Sequence, residues 1–577
     1  MNERDGHPGI SRRSFLQAGA GAAVAAWSAR AAHAADRAPG RGKRGDVLDA
    51  SIADLQAGME SGRLTSQRLV GAFRRRILAV ERRFDLRSVL ELNPDADRIA
   101  ADRDRERLRS GPRGPLHGIP VLLKDNINTG DRLSTSAGSL ALAGAPAPYD
   151  ARVAARLRAA GAVILGKTNM SEWSNFRGFQ GSSGWSGVGG QGRNPHVLDR
   201  NPCGSSSGSA AAVAAGLTPA ALGTETDGSI VAPAGQCGVV GIKPTVGLTS
   251  RTGIVPISFT QDTVGVHARS VADAAAVLGP LTGVDPLDPK TAASEGRSFT
   301  DYGQFVDPDG LRGARIGVLR QLTDATAETA AVFEQAVQVM AEAGAVLVDP
   351  VDIPTFDAFH DDQSEIVVLL VEFKRQLNAY LATRTGLPVA TLADVIQFNR
   401  DHADIELAFF GQEWMELAEA EIFGEADYQA ALMRGPLLGG RQGIDAALEA
   451  NGLDALVAPT NTPAWPNDAV NGDALTFGSS GFAAVAGYPL VSVPAGFVFG
   501  LPVGITFMAG AFSEPTLIRL AAGFEAAAGA WRPAAFLRSV DAAPRRRRWR
   551  AVAARPLERP AARDSLRLPR LRRPRYV

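Results

Sequence analysis

Apolar residues recur at helical spacing near the start of the chain. Ser51 opens a capping-box pattern with Asp54, and the helix that it predicts ends at Gly62. A second predicted helix follows, with an apolar stripe made of Leu69, Val70, Phe73, Ile77 and Val80. This spacing indicates two helices that pack one apolar face onto the main body of the protein.

The pattern changes at Gly111, after which short apolar runs alternate with Ala-rich helical segments. The strand-like runs are residues 119–123, 162–165, 314–319, 455–458 and 489–494, and a helical segment spans residues 151–160. Strands that alternate with helical patterns predict an α/β fold. Because the runs are spread along the chain, we expect them to form one large sheet.

Longer helical patterns dominate residues 280–450, with examples at 330–343 and 405–423. They predict a helical region that covers one side of the sheet. The sequence has no fixed-period internal repeat. The predicted organisation is therefore a helical segment over residues 35–110 that packs on the core, followed by a catalytic domain over residues 111–540.

The first residues carry the features of a twin-arginine export signal. Arg12 and Arg13 precede an apolar run over residues 18–27, and a small-residue cleavage pattern ends at Ala34. A chance arginine pair before an Ala-rich helix is the alternative interpretation. If residues 1–34 are a signal, the twin-arginine export machinery is a partner, and the mature chain is periplasmic or secreted.

An arginine-rich tail occupies residues 541–577. Its residues 544–577 hold thirteen arginines against Glu558 and Asp564, and because the whole chain has a formal charge of zero, the remainder is acidic. Such a composition predicts disorder. Binding to nucleic acid or to an anionic surface is one alternative, but no aromatic platform accompanies the arginines, so we expect no nucleic-acid partner. An unstructured extension and a frame-shifted end of the coding region are the others.

Cysteine content and hydropathy limit the class of protein further. The two cysteines, Cys203 and Cys237, do not make a disulfide framework. Cys203 lies near a serine-rich turn, but it has no evident basic partner to lower its pKa, so we interpret it as a packing residue. No segment after the predicted signal has the ~18 uninterrupted apolar residues of a membrane span. We therefore expect a soluble mature chain without stable membrane insertion.

Three segments indicate nucleophile chemistry. Residues 223–230 and 204–208 are Gly/Ser-rich turns that hold serines against bare backbone, and Lys124 ends an apolar run that begins at Gly118. The turn at 204–208 also fits the Gly-x-Ser-x-Gly elbow with Ser206 at its centre. That elbow needs a buried strand before it, and residues 199–203 cannot form one.

Together these segments resemble the amidase signature family of Ser-Ser-Lys hydrolases. The resemblance implies a single large mixed β-sheet covered by helices on both sides, and a cis peptide bond before Ser205. It also implies that Ser229 is the nucleophile, that Ser205 relays its proton and that Lys124 is the base. The implied oxyanion hole consists of the backbone amides of Thr226, Asp227, Gly228 and Ser229.

A lysine base must be neutral at rest. Lowering the pKa of Lys124 from about 10.4 to about 7–8 requires a shift that desolvation at the end of an apolar strand can provide. His117 and His196 are the alternative bases by residue type, but closeness in sequence is weak evidence, and we interpret both as structural. The resemblance implies no metal or organic cofactor.

The resemblance spans roughly residues 46–536 and also bears on the substrate. Within the family the motifs look most like those of peptide amidases, which remove the C-terminal amide from peptides, and this implies substrate contacts at Asn175 and Ser206. Val231 and Ala232 stand where carboxylate-binding members have an arginine, so a neutral amide is the expected substrate. A broad aliphatic or aryl amidase, an esterase, and a non-catalytic binding protein on the same scaffold are the alternatives.

Overall fold

The computed structural model describes residues 47–323, 326–475 and 477–542. The twin-arginine signal predicted for residues 1–34 lies outside these ranges, as does the arginine-rich tail after residue 542. Among the described residues no helix combines the length and the apolar character that a membrane crossing requires.

Eleven strands of the described chain form one sheet. They are β1 Val89–Leu92, β2 Pro120–Lys124, β3 Val163–Thr168, β4 Ala220–Glu225, β5 Val240–Lys243, β6 Thr263–Ala268, β7 Arg315–Leu319, β8 Val346–Val351, β9 Ala455–Pro459, β10 Leu490–Val498 and β11 Leu501–Met508. Their spatial order is β1-β3-β2-β4-β6-β5-β10-β11-β9-β7-β8. The five strand-like runs of the sequence thus correspond to β2, β3, β7, β9 and β10.

The α-helices of the described residues flank this sheet. In chain order, α1 to α16 span Ile52–Glu60, Ser66–Phe84, Ala96–Ser110, Arg152–Ala159, Ser207–Ala214, Val231–Cys237, Val271–Leu281, Ala327–Glu342, Phe356–His360, Ser364–Leu381, Leu392–Asp401, Glu413–Glu419, Glu425–Pro436, Asp445–Asn451, Gly481–Ala486 and Glu514–Ala528. A π-helical stretch, Leu437–Ile444, joins α13 to α14. Every residue of α5 is buried, which makes it the central helix of the fold.

The sheet is mixed. β2 runs parallel to both β3 and β4, and β7 runs parallel to both β8 and β9. The remaining neighbours pair antiparallel. β2 and β3 are buried along their whole length, as expected for parallel strands with helices on both faces. The predicted fold class, one large mixed sheet flanked by helices, is confirmed.

The N-terminal segment combines helices with a strand. Ser51 and Asp54 form the predicted capping box of α1, and the apolar stripe of α2 is buried in the main core. The segment also supplies β1, which pairs antiparallel with β3 at the edge of the sheet. Residues 47–110 therefore extend the sheet as well as cover it.

The region over residues 280–450 differs from its prediction in two places. The pattern at 330–343 corresponds to α8, but β7 and β8 also lie in this region and form one edge of the sheet. The helix predicted over residues 405–423 is wrong, because within it the structure has only α12. The carbonyl groups of Phe410 and Gly411 accept hydrogen bonds from Arg177, so a tertiary contact replaces the helical pattern there.

Candidate active site

Lys124 and Thr224 meet at one edge of the sheet because their strands run side by side. In the parallel pair β2 and β4, Leu123 is opposite Leu222, so both strands end at the same edge. Lys124 Nζ lies 2.8 Å from Thr224 Oγ1 and 3.2 Å from the Thr224 carbonyl oxygen. The Asn126 side-chain amide donates to the same hydroxyl at 3.0 Å.

Lys124 is fully buried and has a lowered pKa. Its side chain is 0% exposed. Desolvation lowers its pKa from the ordinary 10.5 to about 7, and the carboxylates of Asp262 and Glu225 oppose that shift. The amine is therefore largely neutral slightly above neutral pH, which agrees with the expectation from the sequence.

Ser205 is the hydroxyl next to this amine. Its Oγ lies 2.7 Å from Lys124 Nζ, it is 0% exposed, and the peptide bond between Gly204 and Ser205 is cis. With two N–H groups on the oxygens of Thr224, a neutral Lys124 has its lone pair free to accept the Ser205 hydroxyl proton. This geometry can draw a proton away from Ser205.

The turn that carries Ser229 connects β4 to α6. Glu225 Oε2 accepts the backbone N–H groups of Ile230 at 2.7 Å and Val231 at 3.0 Å, which fixes the exit of the turn. Thr226 Oγ1 donates to Asp262 at 2.6 Å. Within the described residues, the backbone N–H groups of Asp227, Gly228 and Ser229 have no hydrogen-bond acceptor. They are available to a ligand in the way that the predicted oxyanion hole requires.

The two serine turns are in direct contact. The Ser206 N–H donates to the Ser229 carbonyl at 3.1 Å, and the Ser206 hydroxyl donates to the Thr224 carbonyl at 3.0 Å. A Cβ at Gly223 would lie 2.7 Å from Ser206 Oγ, so only glycine permits this approach. The turns at 204–208 and 223–230 therefore form one unit at the ends of β2 and β4.

A cavity of about 730 Å³ opens above this unit. The predicted site residues among its lining are Ser205, Ser229, Thr226, Asp227, Gly228 and Asn175. The lining includes no lysine or arginine from the described residues, and Val231 and Ala232 lie where a carboxylate clamp would stand. The cavity is thus suited to a neutral or cationic ligand.

Ser206 does not occupy the position expected of it. Sequence reasoning assigned it a substrate contact, but its side chain is 0% exposed and is absent from the cavity lining. Its hydroxyl both donates to the carbonyl and accepts the N–H of Thr224. Ser206 is therefore corrected to a residue that joins the two turns.

Asp227 has a carboxyl group in the cavity. Its Oδ1 accepts a hydrogen bond from Ser480 at 2.5 Å. Desolvation raises the pKa of this carboxyl, while Ser480 and Lys243 oppose the rise. Burial raises the pKa of the neighbouring Glu365, and the charge of Asp227 raises it further. When it is ionised, the Asp227 carboxylate repels an anion bound in the cavity.

The histidines and Cys203 take no part in the proton network. His196 Nε2 is hydrogen-bonded to the Cys237 carbonyl at 3.0 Å, and His117 Nε2 to the Arg103 carbonyl at 2.9 Å. Neither imidazole lines the cavity. Cys203 lines it but is buried, and desolvation raises the pKa of its thiol. Across the described ranges no group of three or more His, Cys, Asp or Glu side chains is arranged to hold a metal ion.

Sequence reasoning missed several residues of the site. Thr224 lies inside the quoted motif, but nothing in the motif reveals that its hydroxyl orients Lys124. Asp262 is a single carboxylate far from the serine turns in sequence. Phe179 and Trp414 line the cavity from segments more than 200 residues apart. No pattern in the sequence indicates that these two residues are neighbours in the fold.

The similarity to known proteins extends over all the segments that form this site. The Amidase family profile matches residues 68–518. A probable amidase of Arabidopsis thaliana is 43% identical over 501 residues, which cover 85% of this chain and 92% of that protein. A glutamyl-tRNA(Gln) amidotransferase component of Halorhodospira halophila is 35% identical over 490 residues, which cover 82% of this chain and 95% of that protein.

Two solved peptide amidase structures have a higher sequence identity with this chain than the two relatives above. The native peptide amidase of Stenotrophomonas maltophilia is 52% identical, with a TM-score of 0.80 and coverage of 85% of this chain and 99% of that chain. A peptide amidase in complex with the competitive inhibitor chymostatin is 53% identical, with a TM-score of 0.81 and coverage of 84% and 99%. The likeness thus extends through the sheet, the serine turns and the cavity.

Proposed function

The chain belongs to the amidase family of hydrolases acting on amide C–N bonds, and from this premise we propose that it removes the C-terminal amide from peptides through an acyl-enzyme on Ser229. The observation that carries the mechanism is the buried pair Lys124 Nζ and Ser205 Oγ, 2.7 Å apart. A serine hydroxyl needs a base to become a nucleophile. Lys124, with its lowered pKa, supplies that base through Ser205.

In the proposed reaction a proton passes from Ser229 through Ser205 to Lys124, and Lys124 then returns a proton to the leaving group. Ser229 Oγ attacks the amide carbonyl while its proton passes to Ser205 Oγ, and Ser205 passes its own proton to Lys124 Nζ. The resulting ammonium returns a proton through Ser205 to the amide nitrogen, the C–N bond breaks and ammonia leaves. Water then attacks the acyl-enzyme by the same relay and releases the carboxylic acid and Ser229.

The turn before α6 stabilises the charge that develops in this reaction. The unpaired N–H groups of Asp227, Gly228 and Ser229 provide donors for the oxyanion. Each such donor contributes roughly 10²–10³ in rate when it is preorganised in a site that excludes water. The contact between Thr226 and Asp262 holds the start of the turn, so these donors are in place before the substrate binds.

The size and polarity of the cavity favour a peptide amide. Ammonia is the leaving group, so nearly all of the substrate lies on its acyl side, and a volume of about 730 Å³ is much larger than a small aliphatic amide needs. The lining offers no guanidinium for a substrate carboxylate. The 52% identity with a peptide amidase supports the same substrate class.

Ammonia release from four substrates tests this choice. We expect kcat/KM to be highest for an amidated tripeptide, lower by at least about tenfold for propionamide and benzamide, and lowest for a peptide amide with a free carboxylate next to the scissile group. Higher kcat/KM for the simple amides would instead indicate a broad amidase. Faster cleavage of the matching peptide methyl ester, with no release of ammonia from the amide, would indicate an esterase.

The pKa of Lys124 predicts the pH dependence of the reaction. Because only the neutral amine is a base, kcat/KM should rise about tenfold per pH unit below pH 7 and level off above it. The Asp262 carboxylate raises the pKa of Lys124, so Asp262→Asn should move this limb to lower pH. Asp285→Asn should leave it in place, because Asp285 is not among the carboxylates that shift the pKa of Lys124. An unmoved limb in Asp262→Asn would show that another group controls the profile.

A further inference from the structure

One side of the cavity is formed by three aromatic rings, which we name the aromatic wall: Phe176, Phe179 and Trp414. The rings of Phe176 and Trp414 stack at 5.8 Å, and Phe179 meets Trp414 edge-on at 4.5 Å. All three line the cavity that holds Ser205 and Ser229. Phe176 also packs edge-on against the buried Phe373, which anchors the wall in the core.

The outer end of the wall is accessible. Phe179 is 57% exposed, although large aromatic side chains are ordinarily buried. Trp414 is partly buried, and Leu369 and Leu475 add apolar surface to the same cavity. An exposed aromatic ring beside a reactive serine is a surface on which an apolar group of the substrate can pack.

Arg177 joins the two segments that build the wall. Its guanidinium donates to the carbonyl oxygens of Phe410 at 3.1 Å and Gly411 at 3.2 Å. Its own carbonyl accepts the N–H of Trp414 at 3.0 Å. The guanidinium is 1% exposed and lies 3.9 Å from the centre of the Phe410 ring. The side chain and the backbone carbonyl of Arg177 together therefore hold Trp414 in position relative to Phe176.

Two further contacts hold residues 176–179 close to residues 410–414, and we call this contact region the Arg177 joint. The N–H of Phe179 donates to Glu413 at 3.0 Å. A Cβ at Gly178 would lie 2.3 Å from the Gly411 carbonyl oxygen, so the two backbones approach as closely as glycine allows. The carboxyl groups of Glu172 and Glu406, both buried, lie 3.3 and 3.6 Å from the guanidinium and help to fix its position.

The backbone just before the wall is strained. Trp173, Ser174 and Asn175 have φ angles of 49°, 56° and 73°, which non-glycine residues seldom adopt. A run of three such residues persists only where its surroundings enforce it. Here it turns Ser174 and Asn175 into the cavity beside the aromatic wall. The Arg177 joint follows immediately and holds the far end of this segment.

We propose that the aromatic wall is the subsite for an apolar side chain on the acyl side of the scissile amide, and that Arg177 is the positioning residue that sets it. This inference rests on the proposed peptide substrate and names the substrate group that the cavity selects. In a peptide amide the Cα that carries the terminal side chain is bonded directly to the reacting carbonyl carbon. It therefore enters the cavity together with the carbonyl and meets the rings.

Trp414→Ala tests the subsite with two substrates, N-acetylphenylalaninamide and N-acetylglycinamide. Loss of the indole should raise KM for the phenylalanine amide about tenfold or more while kcat changes little, and KM for the glycine amide should stay within about twofold. Phe179→Ala should act in the same direction, and Trp414→Phe should restore most of the loss. Equal effects on both substrates would overturn the proposal.

The matched control is Phe409→Ala. Phe409 lies in the same segment and is 53% exposed, but its ring contacts Trp185 and does not line the cavity. We expect this variant to treat both amides like the original protein. A selective loss for the phenylalanine amide in this control would mean that the segment as a whole, rather than the wall, determines selectivity.

Arg177→Lys tests the positioning role, because lysine keeps the charge and loses the planar fork. After correction for the fraction of reactive Ser229, it should raise KM for the phenylalanine amide more than for the glycine amide. A merely structural role would lower the active fraction and leave the ratio of the two KM values unchanged. Phe179→Ala, which removes an exposed ring, tests the wall even if Arg177→Lys does not fold.

Binding to Ser229→Ala separates the inference from the proposed function. Calorimetry with N-acetylphenylalaninamide measures the subsite without turnover, and adding Trp414→Ala should weaken that binding about tenfold or more. If the original protein released no ammonia from any peptide amide but this difference remained, the proposed function would fail and the subsite would stand. Equal binding with and without the indole would overturn the subsite.

Discussion

Replacing Lys124 by methionine should lower kcat/KM for a peptide amide by ~10³-fold or more at pH 7. Methionine keeps the approximate volume and the apolar stem but cannot accept the proton that Ser205 delivers over 2.7 Å. The remaining rate should also lose its dependence on pH near 7, since the group that titrates there is removed. Ammonia release measured from pH 5 to 9 checks both effects.

The same change should not weaken the fold. The pKa of Lys124 is lowered from 10.5 to about 7 in the folded state, so the buried amine costs stability as pH falls below 10.5, and the cost becomes constant below 7. At pH 7 the buried amine lowers the free energy of unfolding by roughly 4 kcal/mol. Its hydrogen bonds to Ser205 and Thr224, which methionine would lose, contribute only about 1–3 kcal/mol. Lys124→Met should therefore have an equal or higher Tm.

Lys167 provides the matched control for Lys124. It is also a fully buried lysine, and desolvation lowers its pKa to about 8. Its Nζ donates to the carbonyl oxygens of Ile127 and Ser134 and lies outside the cavity lining. Because Lys167→Met would also leave the buried Asp125 carboxyl group, 3.9 Å from Nζ, without its cationic partner, it should lower Tm but keep the activity of the folded fraction within about tenfold. If the two variants lost activity equally, burial of a lysine rather than its role as base would explain the effect.

Ser229→Ala should lower kcat by roughly 10⁴-fold or more, and Ser205→Ala should approach the same level. Each variant removes one of the two hydroxyl groups through which the proton travels to Lys124. Residues that act as one unit give losses that do not add. The double variant should therefore be no slower than Ser229→Ala alone, as single-turnover ammonia release would show.

A different pattern would point to separate roles. If the losses from Ser205→Ala and Ser229→Ala multiplied in the double variant, the two hydroxyl groups would act independently. The control is Ser207→Ala, a neighbour in the same turn whose hydroxyl has, within the described part of the chain, a single hydrogen bond, to the Ser205 carbonyl at 3.5 Å. That variant should retain activity within about tenfold.

The sequence predicted the parts of the site that local motifs encode. Each serine turn, and likewise the strand that ends at Lys124, is one continuous stretch of sequence. Its residue types therefore indicate its chemistry without knowledge of the fold. Parallel pairing of β2 with β4 then brings Lys124 to the turns. The exception is Ser206, since a motif does not tell which of several adjacent hydroxyl groups faces the cavity.

The parts that the sequence could not predict depend on contacts between distant segments. The pattern at 405–423 has helical periodicity, but Arg177 takes two of its carbonyl groups and leaves α12 as the only helix there. The aromatic wall has the same origin, because the contacts of Arg177 hold Trp414 beside Phe176. Local propensity loses to tertiary contact in both cases.

Export remains a prediction from residues 1–34. Arg12 and Arg13, the apolar run and the cleavage pattern predict a twin-arginine signal, and a periplasmic or secreted enzyme would meet peptide amides outside the cytoplasm. Cell fractionation of the full chain and of an Arg12→Lys, Arg13→Lys variant distinguishes the alternatives. Retention of both proteins in the cytoplasm would contradict the prediction.

The central claim is that Ser229 is the nucleophile and that Lys124 activates it. A serine-directed sulfonyl fluoride, followed by peptide mapping of the folded protein, tests it most directly. The adduct should lie on Ser229, form faster as pH rises through 7, and form at least about a hundredfold more slowly in Lys124→Met. An adduct on Ser205 or Ser206, or none at Ser229 in folded protein, would contradict the mechanism.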